Sequence, residues 1–490
     1  MFKSISQRPY YLFLFPIFFV LHGFVEYLGF VLPASALLLA LLYIGVSLVL
    51  TFIFYFFYKD FAKAAVMTFC VMAFHLFFGN IYDLLVVIFK TGFILRYTFL
   101  IPVFLIMLIV LFFVIGKRDT VFTITFYLNI LMTLLIILDA GKLVIQKSNS
   151  KNSLSYREKI TRTGLTVCDT CSKPDVYIIL LDEYAGAAEL NDVFQYSNQP
   201  FFDSLSLRGF KTMTNVHSNY NYTPYSTCAT LNMNYLDPEK TKNVKKGFKY
   251  AATHINDNRT IDFFLANGYQ FYNYSPFTVA GQSSRIEGAF VPVNTELITA
   301  GTFVTRFKKD VLPNIADKFN MDWYLKKSTY TVNKDNELLY NLTKKVAETK
   351  TGPKLVYTHL LMPHHPYYYN EHGEMYPYDT LRKSSLENTG QYLSYLKYAN
   401  KQVIALADHI LSHSPTPPLI VFLSDHGYRH YTNNSDSRYN FSSLFTVHFA
   451  DSSNSLPDST SNVNFFRIVL NQAFRQSQPL LEDKLIFIDF

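Results

Sequence analysis

Apolar and polar positions divide this chain into two unlike parts. Residues 9–145 are almost uniformly apolar, and a helix needs about 20 apolar residues to cross a bilayer. Five stretches meet that length, near 10–30, 34–57, 64–89, 97–116 and 120–141. From about residue 150 the pattern is mixed. Asp175–Leu181 (DVYIILL), Lys354–Leu361 (KLVYTHLL) and Leu419–Leu423 are continuous apolar runs, the pattern of strands buried on both faces. Tyr392–Ser412 places Leu393, Leu396, Val403, Ala407 and Ile410 at helical spacing just before the third run. Ile261–Tyr274 reads as a helix closed by Gly268 and then a short strand. Strands alternating with helices predict an α/β domain with a mostly parallel central sheet sandwiched by helices. The expected organisation is a transmembrane helical domain of five spans at 1–145, a linker at 146–173 and an outer domain at 174–490. The linker is rich in Lys, Ser and Thr, with room for a short helix.

Charge adds an orientation. Lys3 and Arg8 precede the first stretch, Lys59 and Lys63 lie between the second and third, and Lys117 and Arg118 between the fourth and fifth. The opposite loops carry only Lys90 and Arg96. Lys and Arg stay on the cytoplasmic side, so the N-terminus is expected there and residues 150–490 outside. The first stretch lacks a small-residue cleavage site, is long, and is followed by four more, so it does not read as a signal peptide. The net charge of +7 over 490 residues is spread without a basic block, which argues against nucleic-acid binding. His22, Glu26, His75 and Asp83 fall inside the apolar stretches. Ionisable groups at membrane depth are costly and often functional, or they reach the interface from span ends. His22 and Glu26, one turn apart, share a face that suits a lipid head group. Cys168 and Cys171 form CDTC, without the histidine of a haem site or a second pair for zinc. They read as a local disulfide or as idle thiols.

Each of the three long apolar runs ends in chemistry. The first ends in Asp182-Glu183, the second contains His359 and leads to His364-His365, and the third, Val421–His430 (VFLSDHGYRH), ends in Asp425-His426. Sites in open α/β sheets form beyond the carboxyl ends of strands. Carboxylates with imidazoles are a divalent-metal ligand set. Taken singly, each has an ordinary explanation: a helix cap, a turn, a surface loop. A nucleophile would complete the set. In Ser218–Leu236, Thr223 precedes Pro224, so it reads as a helix N-cap at a place that favours anions. Beside a metal its hydroxyl can ionise and attack a phosphoryl or sulfuryl group. Ser226 and Thr227 are rivals.

VYIILLDEY, the Thr223 helix start, THLLMPHHPYYYN and FLSDHG, in this order over residues 174–450, resemble the alkaline phosphatase superfamily. The closer resemblance is to its sulfatase-like membrane branch, which includes phosphoethanolamine transferases and lipoteichoic acid synthases. The resemblance implies Asp182, Asp425 and His426 as metal ligands, with Glu183 as a second acid and Thr223 as both ligand and transiently phosphorylated nucleophile. It implies His364 at the substrate phosphate or a second metal, and His359 five residues earlier among the substrate contacts. A further histidine is expected after Asp-His-Gly; His430 and His448 are the candidates. The implied cofactor is a divalent metal, Zn by resemblance, with Mn, Mg and Ca open.

Two departures matter. Cys228 is followed by Ala-Thr-Leu-Asn, without the Pro and Arg that sulfatases need to make formylglycine. Tyr428-Arg429 follows Asp-His-Gly where the transferases carry Glu-Ser. The expected activity is a transfer, at a bacterial-type cytoplasmic membrane, of a phosphoethanolamine- or phosphoglycerol-type group from a membrane phospholipid to an envelope lipid or glycan. The alternatives are a hydrolase of envelope glycan esters and a non-catalytic protein retaining the fold.

Overall fold

The structure is a computed structural model, and it describes residues 8–151, 155–241, 244–286, 294–431 and 437–488. It divides into two compact units, 1–153 with 292–325, and 154–291 with 326–490. Residues 292–325 fall within the expected outer domain, yet they group with the N-terminal helices.

In the first unit the apolar stretches form the helices Tyr11–Glu26, Pro33–Tyr58, Phe61–Phe89, Tyr97–Lys117 and Phe122–Lys151. Four are long and apolar enough to cross a membrane. The first has only 16 residues, so the expectation of five full spans is corrected to four plus a shorter apolar helix. The turn at 27–32 ends it before residue 30, because Gly29 adopts a left-handed backbone. The short helix nevertheless runs parallel to the last one. Tyr11 N donates to Asn129 Oδ1 at 2.9 Å, and His22 Nδ1 lies 3.1 Å from Asp139 Oδ2. Eleven residues along one helix match ten along the other, so the two cross the bundle in the same direction. His22, itself largely exposed, thus meets the buried carboxylate of Asp139 on the last helix. Segment 294–310 packs along these helices, from within Phe61–Phe89 to the start of Pro33–Tyr58. Gly79 N donates to Gly301 O at 2.7 Å, Arg306 sits 3.3 Å from Asp83, and Asn294 holds Leu32 N at 3.1 Å.

The second unit is built on a six-stranded sheet. Its strands are β1 Val176–Leu181, β2 Phe210–Met213, β4 Gln270–Tyr274, β5 Lys354–Leu360, β6 Leu419–Ser424 and β7 Phe445–His448, in the order β2-β7-β6-β1-β5-β4. β3 Asn215–His217 pairs separately with β8 Ser459–Ser461. β6, β1, β5 and β4 are parallel, and β7 is antiparallel to its neighbours. Alternate side chains of β1 enter two cores. Val176, Ile178 and Leu180 pack with the helices Thr223–Asn232 and Asn462–Phe474, while Tyr177, Ile179 and Leu181 pack with Thr389–His413. A strand buried on both faces cannot alternate polar residues, which is why its sequence is one apolar run. Cys168 and Cys171 are disulfide-bonded. Within the expected linker, Ser155 caps the helix Tyr156–Arg162 and Ile160 is buried in the first core.

Candidate metal and phosphoryl-transfer site

The register of the sheet assembles the site. Leu181 of β1 pairs with Ser424 of β6 and with Leu360 of β5. Asp182 and Asp425 each follow their strand by one residue, so both carboxylates emerge at the same edge. His359 pairs with Leu180, two residues before Asp182 and on the same face. Asp182, Asp425 and His426 are fully buried, and one ligand atom of each lies within 4.8 Å of the others.

Hydrogen bonds leave specific lone pairs over. Asp182 Oδ2 receives His359 Nε2 at 3.0 Å, and Asp425 Oδ1 receives the backbone N–H of Glu183 at 3.0 Å. Among the described residues, Asp182 Oδ1 and Asp425 Oδ2 find no hydrogen-bond partner, and the latter faces His426 Nε2 at 3.2 Å. Buried anionic oxygens without partners are expensive. Burial, and then the neighbouring Asp425, push the Asp182 carboxyl well above its usual range. Burial acts on Asp425 too, but His426 and His359 outweigh it and hold that carboxyl low. His426 Nδ1 lies 2.8 Å from the Gly427 carbonyl, which fixes the N–H there and turns the Nε2 lone pair inward. Burial lowers this imidazole to about 4, so it is a neutral ligand at neutral pH. Two orphaned carboxylate oxygens and one inward lone pair fit a divalent cation.

Thr223 completes the cluster. It is the first residue of the helix Thr223–Asn232, one position inside the expected N-cap, which is Tyr222. Its hydroxyl makes no cap; Oγ1 lies 3.1 Å from His426 Nε2. The rivals are placed differently. Ser226 Oγ donates to the Asp425 carbonyl at 2.5 Å, and Thr227 Oγ1 is buried without a partner among the described residues. Cys228 lies on another side of the helix, in the core, where burial raises its thiol to about 12.

Other expected residues fall elsewhere. Glu183 does not join the three-ligand cluster. Its backbone is left-handed (φ 60°), a costly conformation held by the Asp425 contact and by Tyr392, whose hydroxyl donates to the Glu183 carbonyl at 2.7 Å. That twist aims the Glu183 carboxylate at His430 Nε2 (2.9 Å), Arg429 Nε (3.8 Å) and His364 Nε2 (3.8 Å). Burial alone would raise its pKa; His364, His430 and Arg429 together lower it to about 2. His359, expected among the substrate contacts, is wholly buried against Asp182 and orients that ligand instead. His430 is the histidine beside the site. His448 belongs to β7 and bonds the Pro418 carbonyl at 2.8 Å.

Sequence reasoning missed three contributors. Arg429 sits beside Glu183 and donates to the Asn221 carbonyl at 2.6 Å. Buried Glu189 accepts the Tyr431 hydroxyl and packs on Gly427. Asn462 donates to the carbonyls of Ser424 (3.0 Å) and Asp425 (3.3 Å). Arg429 was visible as a departure from the motif; no spacing pointed to Asn462 or Glu189.

Buried acids and an imidazole at parallel strand ends, facing a hydroxyl at a helix start, form a cluster able to hold a metal ion, as an enzyme site would. The sulfatase family matches residues 191–447, and the chain belongs to that family. No curated protein matches the sequence. Similar solved structures include the C-terminal periplasmic domain of EcEptC from Escherichia coli, 13% identical over 62% of this chain and 83% of that one, with a TM-score of 0.38. Lipooligosaccharide phosphoethanolamine transferase A from Neisseria meningitidis is 12% identical over 96% of this chain and 93% of its own, with a TM-score of 0.36. A putative sulfatase, yidJ, from Bacteroides fragilis is 14% identical over 61% and 74%, with a TM-score of 0.37.

Proposed function

We propose that this chain is a membrane-anchored phospho-head-group transferase in which Thr223 is the nucleophile. The observation that carries the reading is the Thr223 hydroxyl, buried at a helix start and 3.1 Å from the inward nitrogen of His426. Asp182, Asp425 and His426 would hold a divalent metal, Zn by the motif resemblance, and Thr223 would face it. Such an ion lowers the pKa of an adjacent hydroxyl and offsets charge on phosphoryl oxygens. Thr223 Oγ attacks the phosphorus of a phospholipid diester. The bond to the diacylglycerol oxygen breaks, and that oxygen leaves with a proton. A hydroxyl of an envelope lipid or glycan then attacks the phosphothreonine and frees Thr223. His364, His430 and Arg429, grouped on Glu183, suit the phosphoryl oxygens. Thr230 and Asn232 occupy the positions where formylglycine chemistry needs Pro and Arg, and Cys228 faces the core, which disfavours sulfate-ester hydrolysis by that route.

Orientation follows from the bundle. The first and last helices run in parallel, so the chain leaves the last helix at the end opposite Arg8, and Lys and Arg placement assigns Arg8 to the cytoplasm. The catalytic unit is therefore inferred to lie outside.

The test is the purified full chain with head-group-labelled phosphatidylethanolamine and an envelope glycan acceptor. Wild type should yield diacylglycerol and labelled acceptor. Thr223→Ala should lose at least about 10³-fold in rate, as removal of a covalent nucleophile does. Full activity in Thr223→Ala contradicts the nucleophile, and free labelled head group without labelled acceptor identifies a hydrolase.

A further inference from the structure

We infer that the stretch Phe303–Tyr324 is an interfacial anchor, seated at the outer lipid–water boundary with Trp323 among the head groups. This rests on the reading that the N-terminal helices cross a bilayer, and it is independent of the chemistry at Thr223. The stretch belongs to the chain between β4 and β5 of the catalytic fold, yet it packs within the membrane unit.

Its depth is set by its partners. Gly301 touches Gly79, Arg306 pairs with Asp83, and Asp310 accepts the Tyr97 hydroxyl. Phe303 lies with its ring 5.1 Å from those of Phe74 and Phe78. Phe74 and Gly79 lie deeper along Phe61–Phe89, whereas Asp83 is near its end and Tyr97 begins the next helix. At 1.5 Å per residue, Asp83 lies only about 9 Å from the end of its helix. Helix Phe303–Asp310 therefore runs outward from Phe74 to Asp83 and Tyr97, and Leu312–Lys318 follows it at the span ends, where a bilayer turns from acyl chain to head group. A backbone hydrogen bond between two glycines fixes that position, since a Cβ on Gly79 would strike the Gly301 main chain at 2.6 Å.

The surface beyond these contacts has interfacial chemistry. Phe319 and Trp323 are each 69% exposed, a cost in water for two large aromatic rings only four residues apart. Lys308, Lys309 and Lys318 are exposed around them. Aromatic belts with flanking lysines mark membrane boundaries, where Trp places a ring in the head-group layer. The exposed acids Asp317 and Asp322 offset two of the three lysines. Aromatic insertion rather than net charge then holds the stretch, so seating should not require anionic lipid. The Tyr324 hydroxyl reaches back to the Lys308 carbonyl at 3.3 Å and ties the Trp323 turn to the helix before it.

Trp323 is the only tryptophan in the chain, so its fluorescence reports this position without any substitution. The full chain is reconstituted into zwitterionic phosphatidylcholine vesicles, and flotation is scored first. Trp emission is then measured with lipids brominated near the glycerol end, with lipids brominated near the methyl end, and with acrylamide in the water. The inference expects a blue-shifted emission that bromines near the glycerol end quench more than deep ones, weak acrylamide quenching, and the same result without anionic lipid. A floating protein whose Trp323 ignores both bromolipids and is quenched by acrylamide overturns the anchor and leaves the membrane reading intact; that outcome would fit a surface for a partner protein. A protein that does not float overturns both.

Discussion

In the proposed site a neutral imidazole, two carboxylates and one hydroxyl carry the chemistry, and their environment matters more than their identity. Asp182 is held by one hydrogen bond from a wholly buried histidine that touches no solvent. In the proposed mechanism His359 is thus a positioning residue: it leaves Oδ1 of Asp182 facing the cluster. Partners of metal ligands typically alter affinity about 10–100-fold when replaced. His359→Gln should weaken metal binding by that factor in competition with a chromophoric chelator, and restored metal concentration should recover the rate. Unchanged metal affinity would show that His359 only fills space. Glu183 illustrates the limit of reading a motif by position. Its neighbour in sequence is a metal-ligand candidate, yet a left-handed backbone turns its side chain toward His364, Arg429 and His430. An alternation rule that holds along a strand, and still places Asp182, fails two residues past its end.

At the level of elements, the strand-terminal sites were legible because the sheet is parallel and buried on both faces. Three apolar runs each stopped at acid or imidazole, and register then placed Asp182 beside Asp425. Thr223 was legible for a different reason, the Pro that starts its helix. What held the Asp425–His426 loop in place was not legible, because Glu189 and Asn462 lie on elements whose pattern says nothing about their partners. Gly427 belongs to that hidden support. A Cβ there would meet Glu189 and come within 2.5 Å of the Tyr439 carbonyl, and a main-chain atom cannot swing aside. Gly427→Ala should displace the loop and lower bound metal and rate together, while far-ultraviolet circular dichroism stays that of wild type. Normal metal content in this variant would mean the loop yields without moving His426. The membrane helices show the same division: hydropathy found every one, but a turn rather than composition closed the first after 16 residues.

For the whole molecule, a bundle of apolar helices and a sulfatase-family fold on one chain make sense together under the proposed function, in which the donor is itself a lipid. The bundle contributes direction, through the parallel first and last helices, and the return of residues 294–310 to its helix ends gives the catalytic chain a second attachment to the membrane unit. The proposed function requires the ion. The decisive measurement is the metal content of the purified full-length protein by inductively coupled plasma mass spectrometry, wild type beside Asp182→Asn, Asp425→Asn and Thr223→Ala. A divalent ion near one per chain in wild type and Thr223→Ala, and lost from both Asn variants, is the predicted result. A wild-type protein that binds no divalent ion when supplied with one, or Asn variants that keep it, would contradict the account.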